Sequence, residues 1–286
     1  MMKILYATDG GEPAIAALSL LEKSARKDAV EIVVLSVAAG PTHSEEDDAR
    51  RADETVNRAV ERLVSAGFKA DGRMTRGHPA AEIVAEAGRG AFDLILMGAG
   101  NKRWLDRLLL GSQSTRVLHN AQCSVFIVHE APPEEDRTRI LVGADGSADS
   151  RISVDILCRM ADPEACEATV LAVAQVPFPT FAGGPGVAYA TTAYTKEIER
   201  ELTASAQSYA EDAASRLRSA GLDTVAKWVL GSAAIRLLEE AEKSSADLVV
   251  VGSRGLGPVD RWVMGSVSDK MARHARASLV ARHQHA

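Results

Sequence analysis

The chain has 286 residues, 46% of them hydrophobic and 25% charged, with a net charge of −6. Aromatics make up only 4%, so the composition is that of a globular protein with an aliphatic core, and it excludes a disordered chain. The acidic balance argues against nucleic-acid binding through bulk positive charge, and no apolar run reaches the ~18 residues of a membrane helix.

From the N-terminus, short apolar runs rich in β-branched residues predict strands at Ile4–Thr8, Ile32–Val37, Leu94–Met97 and Val125–Val128, with a weaker one at Arg73–Arg76. Helical periodicity fills the gaps at Pro13–Lys27, Glu45–Ala66, Pro79–Gly90 and Ser112–Ala121. The acidic run Glu45–Asp48 suits a helix start. Glu130-Ala-Pro-Pro-Glu-Glu-Asp-Arg137 reads as a solvated linker, with a boundary near Glu135 that separates domains 1–134 and 135–286. Beyond it the pattern recurs, with strands near 139–144, 168–174, 224–230, 247–251 and 278–281. The segment Met1–Asp9 turns polar too quickly for a secretory signal. Cys123, Cys158 and Cys166 have no metal-ligand spacing, so a reduced, cytoplasmic setting is expected.

The recurrence extends to residues. Lys3-Ile-Leu-Tyr-Ala-Thr-Asp-Gly10 matches Arg139-Ile-Leu-Val-Gly-Ala-Asp-Gly146, which offsets Asp9 from Asp145 by 136 positions. Asp93-Leu-Ile-Leu-Met-Gly98 matches Asp247-Leu-Val-Val-Val-Gly252 at an offset of 154, and Gly111-Ser112 matches Gly265-Ser266 at the same offset. The second copy therefore carries an insertion of about 18 residues, placed at Gln175–Tyr194. Its prolines and glycines predict a loop. Continuous apolar strands alternating with helices predict, in each copy, a doubly wound parallel five-stranded sheet with helices on both faces, a Rossmann-like α/β fold.

In such sheets ligands bind beyond the carboxyl ends of the strands, at the switch point. There the second copy has Gly252-Ser-Arg-Gly255, nine residues, then Gly265-Ser-Val-Ser268 opening a helix. Glycines permit close backbone approach, and a helix N-terminus offers N–H groups to an anion. Ser266 and Ser268 add hydroxyls, and Arg254 adds a charged donor. The chemistry this suggests is capture of a phosphorylated ligand.

The pattern Gly-x2-Gly-x9-Gly-Ser after the fourth strand, with Asp145 ending the first, resembles the nucleotide-binding signature of the universal stress protein family. The resemblance covers both copies. It implies an ATP-binding stress-response regulator with no catalytic residues and no protein-held metal, a divalent cation riding on the phosphates. In the second copy it implies that Ala144, Asp145 and Val173 lie at the adenine and ribose, that Val251, Gly252, Arg254 and Gly255 line the ribose and phosphates, and that Gly265, Ser266, Val267 and Ser268 bind phosphate. In the first copy Asp9, Val37, Gly98, Gly111, Ser112, Gln113 and Ser114 match, but Asn101 replaces the second glycine and Gly100 stands where Arg254 would. A weaker first site is therefore expected, with Lys102 or Arg103 able to compensate. The resemblance further implies an intrachain pseudo-dimer through the last strands, a capacity for homodimers, and an unidentified protein partner. Two rival readings are a nucleotide-independent scaffold, and an enzyme with slow ATP hydrolysis or adenylyl chemistry. The chain has no Gly-x4-Gly-Lys-Ser/Thr loop, Gly-x-Ser-x-Gly elbow or His-Glu-x2-His. Trp104 and Trp262 fall between the glycine clusters as packing residues, Cys158 is expected in the core, and His283-Gln-His285 reads as a frayed tail.

Overall fold

A computed structural model describes residues 1–39, 45–100, 110–175, 187–255 and 264–282, the side chains of 187–195 excepted. The first repeat contributes strands β1 (Met2–Ala7), β2 (Val30–Ala38), β3 (Lys69–Arg76), β4 (Leu94–Gly98) and β5 (Ser124–Val128). Between them lie helices α1 (Glu12–Ser24), α2 (Glu45–Ser65), α3 (Pro79–Arg89) and α4 (Ser112–Asn120). The second repeat contributes β6 (Thr138–Ala144), β7 (Cys166–Ala174), β8 (Asp223–Leu230), β9 (Leu248–Gly252) and β10 (Ala277–Ala281). Its helices are α5 (Ala148–Met160), α6 (Val187–Ser219), α7 (Ala233–Lys243) and α8 (Ser266–His274).

The strand order is β3-β2-β1-β4-β5-β10-β9-β6-β7-β8, so the two five-stranded units share one sheet. All neighbours are parallel except β5 and β10, which pair antiparallel with Phe126 opposite Leu279. In each unit the order reverses beside the first strand, putting the switch points between β1 and β4 and between β6 and β9. The strands β4, β5 and β10 are buried along their whole length, as continuous apolar runs covered on both faces must be. One core cluster joins α1, α2, α5 and α6 to one face of the sheet across both repeats, and a second joins α3, α4, α7 and α8 to the other.

The seam is cross-capped. The Arg282 guanidinium donates to the Ala121 and Leu118 carbonyls at the end of α4, and the Arg282 N–H donates to Ser124 Oγ. His129 Nε2 lies 2.8 Å from the Ala272 carbonyl in the last turn of α8, the hydrogen bond that its Nε2–H tautomer donates. Each repeat thus caps the last carbonyls of the other's fourth helix, orphan acceptors that would otherwise need water.

The insertion departs from its predicted loop. Residues 176–186 lie outside the described set, but Val187 opens α6, which runs 33 residues to Ser219. After Gly184-Pro-Gly186 the run Val187–Tyr194 contains neither breaker, and its alanines favour a helix. Trp104, Trp262, Asn101, Lys102, Arg103, His283 and His285 also lie outside the described residues. Cys158 is half-buried against the first cluster.

Burial pushes the thiols of Cys123 and Cys166 up to about 12. The folded state keeps them protonated while the unfolded chain ionises above about 9. The unfolded state then binds fewer protons, so stability is present below that value and falls as pH rises towards 12. Each thiol should contribute a loss of about 1.4 kcal/mol per pH unit in that window. Urea midpoints measured from about pH 8 to 11 should decline, and C123A/C166A should flatten the decline relative to its own value at pH 8. Equal slopes in both proteins would refute protonated buried thiols.

Candidate functional site

At the first repeat's switch point a cleft of about 850 Å³ opens between the ends of β1 and β4 and the first turn of α4, the size expected of a small-molecule site. One side is apolar, made by Leu35, Val37, Ile83 and Met97. The other is polar: Asp9 follows β1, and Gly111, Ser112, Gln113 and Ser114 open α4. Gly98 also lines it, and a Cβ there would sit 2.5 Å from the Ala14 nitrogen, so glycine lets α1 approach β4 this closely. Seven of the residues singled out in the first copy therefore meet in one cleft.

The local structure explains what the cleft offers. Asp9 Oδ1 accepts from the Gly11 N–H at 2.9 Å, a turn that holds the exposed carboxylate at the rim. Gly100 follows β4 at φ +75°, and the Gly111 N–H donates to the Ala99 carbonyl at 2.9 Å. The N-cap of α4 is Gly111, which has no side chain to cap it, and the N–H groups of the first turn have no intrahelical acceptor and face the cleft with the positive end of the helix. The Ser114 hydroxyl is buried and donates to the Gly98 carbonyl at 3.1 Å, clamping helix to strand. Gln113 Oε1 accepts from the Ala80 N–H at 3.2 Å, tying α4 to α3. Among the described residues the cleft offers a ligand backbone groups, the Ser112 hydroxyl and the Asp9 carboxylate, with Thr8, Glu12, His129 and Glu130 also in its lining.

The second repeat brings its matching residues to the same edge but joins them to one another. Ser253 Oγ donates to Asp149 Oδ2 at 2.6 Å, and Arg254 Nε lies 3.2 Å from the same oxygen. Ser147 Oγ donates to the Arg254 carbonyl at 3.2 Å. Gly255 packs against Asp145, where a Cβ would sit 2.6 Å from Oδ2. The loops after β6 and β9 are thus bridged. Asp149 is 4% exposed, and its charge is met by Arg254. Burial holds the Arg282 guanidinium below its usual range, with the Arg254 charge adding to that effect and Asp149 opposing it. Ser268 Oγ donates to the Ser253 carbonyl at 2.8 Å, the counterpart of the Ser114 clamp. Gly265 caps α8 without a side-chain bond, and Ser266 is exposed at its start. Ala144 and Val251 are buried, Val173 and Val267 half-buried. Sequence reasoning missed Ser147, Asp149 and Ser253. Aligning the copies at the offset of each segment would have found them, since Gly11, Pro13 and Ala99 occupy those places in the first copy.

Among the described residues no group of His, Cys, Asp or Glu is arranged to hold a metal ion, and no helix is long and apolar enough to cross a membrane.

The universal stress protein family matches the chain twice, over residues 1–129 and 137–281. A universal stress protein of Methanocaldococcus jannaschii is 44% identical over 68 residues, 24% of this chain and 40% of that protein. Another, from Methanothermobacter thermautotrophicus, is 46% identical over 55 residues, 19% of this chain and 37% of that one. The chain thus spans about two fifths of the length of these curated relatives. The solved structure of a universal stress protein from Archaeoglobus fulgidus superposes with a TM-score of 0.65 at 21% identity, covering 98% of each chain, which is a likeness of fold.

Proposed function

The chain belongs to the universal stress protein family, and from that premise we propose that it is a cytoplasmic stress-response regulator that binds an adenine nucleotide, as MgATP, in the cleft of the first repeat. The observation that carries this reading is the cleft itself: about 850 Å³ at the switch point, apolar on one side, with an α4 N-terminus whose N-cap is a glycine. An adenine ring suits the wall of Leu35, Val37 and Met97, and Asp9 can accept from ribose hydroxyls. The phosphates suit Gly98, Gly111, Ser112 and the first-turn N–H groups of Gln113 and Ser114. A divalent cation would be held mainly by the phosphates, because it keeps most of its ligands as water.

The matching set of the second repeat, Ala144, Asp145, Val173, Val251, Gly252, Arg254, Gly255, Gly265, Ser266, Val267 and Ser268, is the other candidate seat for the same ligand. Occupancy of a nucleotide site would act by favouring one conformation towards an unidentified protein partner, which requires different affinities for the two conformations.

Titration of nucleotide-stripped protein with MgATP tests the reading. A saturable heat and a rise in unfolding midpoint with ligand concentration are expected, about 2.7 kcal/mol of stabilisation at a hundred times the dissociation constant. Saturating ATP, ADP and AMP that all leave the midpoint unmoved would refute it.

A further inference from the structure

The two ends of the sheet carry opposite chemistry. β3 forms one end and β8 the other, and among the described residues neither has a further strand beside it. The offset of 154 aligns them residue for residue, from Lys69 with Asp223 to Arg76 with Leu230. β3 exposes Lys69, Asp71, Arg73 and Arg76, charges of the kind that keep an edge from pairing with other chains. In β8 Val225 stands for Asp71, Trp228 for Met74, Val229 for Thr75 and Leu230 for Arg76. These four apolar residues are 37–53% exposed. Lys227, the cation of β8, is paired with Glu240 of α7 at 2.6 Å. The backbone of this edge is open at its centre. The Gly231 N–H donates to the Ala174 carbonyl of β7, so odd-numbered residues bond inward and even-numbered ones turn outward. Of the outward carbonyls, that of Thr224 accepts from Arg218 Nε and that of Leu230 from Arg236 Nε, both at 3.0 Å. Ala226 and Trp228, between them, face no described strand.

We propose that β8 is a pairing edge for a second copy of this chain, the two β8 strands running antiparallel about a two-fold axis at Lys227. The last strands are already paired with each other within the chain, so joining two chains through a sheet requires another edge. In this register Ala226 and the partner subunit's Trp228 exchange both backbone hydrogen bonds, a small residue opposite a large one. Val225 meets the partner subunit's Val229, a β-branched pair on one face. Lys227 meets its own counterpart with each ammonium held by Glu240 of its own chain. Charge selects this occupant. Asp223 is exposed at one end of β8 and shares Arg137 with Glu167, which leaves that end net negative. At the other end Arg236 uses Nε on the Leu230 carbonyl and Nη1 on Glu239, so Nη2 is available to a further acceptor. The two-fold brings Asp223 of each chain beside the partner subunit's Arg236. Pairing β8 with β3 of another chain would instead set Val225 and Leu230 against charges and would propagate without closing, whereas the two-fold pair closes. The proposal is independent of the nucleotide reading.

The test is the mass of the full chain in solution, by sedimentation and light scattering across about 1–100 μM, where a micromolar dissociation constant shows. Wild type is expected as a dimer that dissociates on dilution. V225D/V229D sets like charges directly opposite each other at two places and should weaken the dimer by at least about a hundredfold. Both positions are exposed, and circular dichroism with urea midpoints checks the fold. D223R decides if that variant does not fold: it should weaken the dimer by about tenfold, and D223R/R236E, which restores opposite charges across the two-fold, should recover most of that loss. Val64→Asp, at an exposed apolar position on α2, is the control and should leave the dimer unchanged. A wild type monomeric at every concentration would overturn the proposal. So would a dimer that survives V225D/V229D, or one that Val64→Asp weakens as much.

Discussion

Replacing Phe126 by alanine should lower stability by about 3–5 kcal/mol, the range for deleting a fully buried aromatic side chain. Phe126 is 0% exposed, and its strand partner Leu279 belongs to the other repeat. The cavity would therefore open at the seam, where β5 is fixed on one side by β4 and on the other by β10. The same core cluster runs from Met2 to Ala281, and the bridge between Ala25 and Ala161 ties the repeats again away from the seam. A shared core predicts one cooperative transition, so urea unfolding followed by circular dichroism and by tryptophan fluorescence should shift together. Ile235→Ala is the control: Ile235 is half exposed on α7, and its loss should change stability by less than ~0.5 kcal/mol. Two separated transitions in the Phe126 variant, with only one displaced, would mean that the repeats are energetically independent.

Much of this architecture was legible because its strands are buried on both faces. Runs such as Leu94–Met97 and 247–251 have no other reading once helical periods flank them, and the structure extends most of them by only a residue or two. One edge strand was harder, although the other, β8, was expected near 224–230 and runs Asp223–Leu230. β3 alternates exposed and half-buried residues and carries Lys69, Asp71, Arg73 and Arg76, so only Arg73–Arg76 stood out. The joining of the two units was carried by the resemblance, since full burial of β5 and β10 says that each has neighbours without saying which.

The candidate site was legible in part for a different reason. Glycines and serines report where backbone approaches a ligand or caps a helix, and those positions recur in both copies. What separates the copies is side-chain chemistry one or two residues away, at Pro13 against Asp149 and Ala99 against Ser253. Ranking the second copy above the first took Arg254 as a donor to phosphate; the structure has that guanidinium on Asp149. No propensity or period encodes a contact between residues 105 positions apart.

Ser112→Asp should separate binding from folding at the first cleft. Ser112 is exposed at the first helical position of α4, and no acidic residue occupies that first turn. A carboxylate there is favourable to the helix itself, worth about 0.3–1 kcal/mol against the positive N-terminal end. To a phosphate it is a like charge at the place the ligand must occupy, a juxtaposition that costs several kcal/mol. The variant should therefore be as stable as wild type or slightly more so in urea, while its affinity for MgATP falls by at least about tenfold and recovers in part at high salt, where the repulsion is screened. A neutral control, Ser112→Ala, should lose only the hydroxyl's contribution, within about fivefold for one hydrogen bond of ~1 kcal/mol. The opposite signs matter most. A general loss of structure lowers stability and affinity together, and a ligand bound elsewhere leaves affinity untouched. A gain in stability with a loss of affinity is the outcome only of an anion held at the N-terminus of α4.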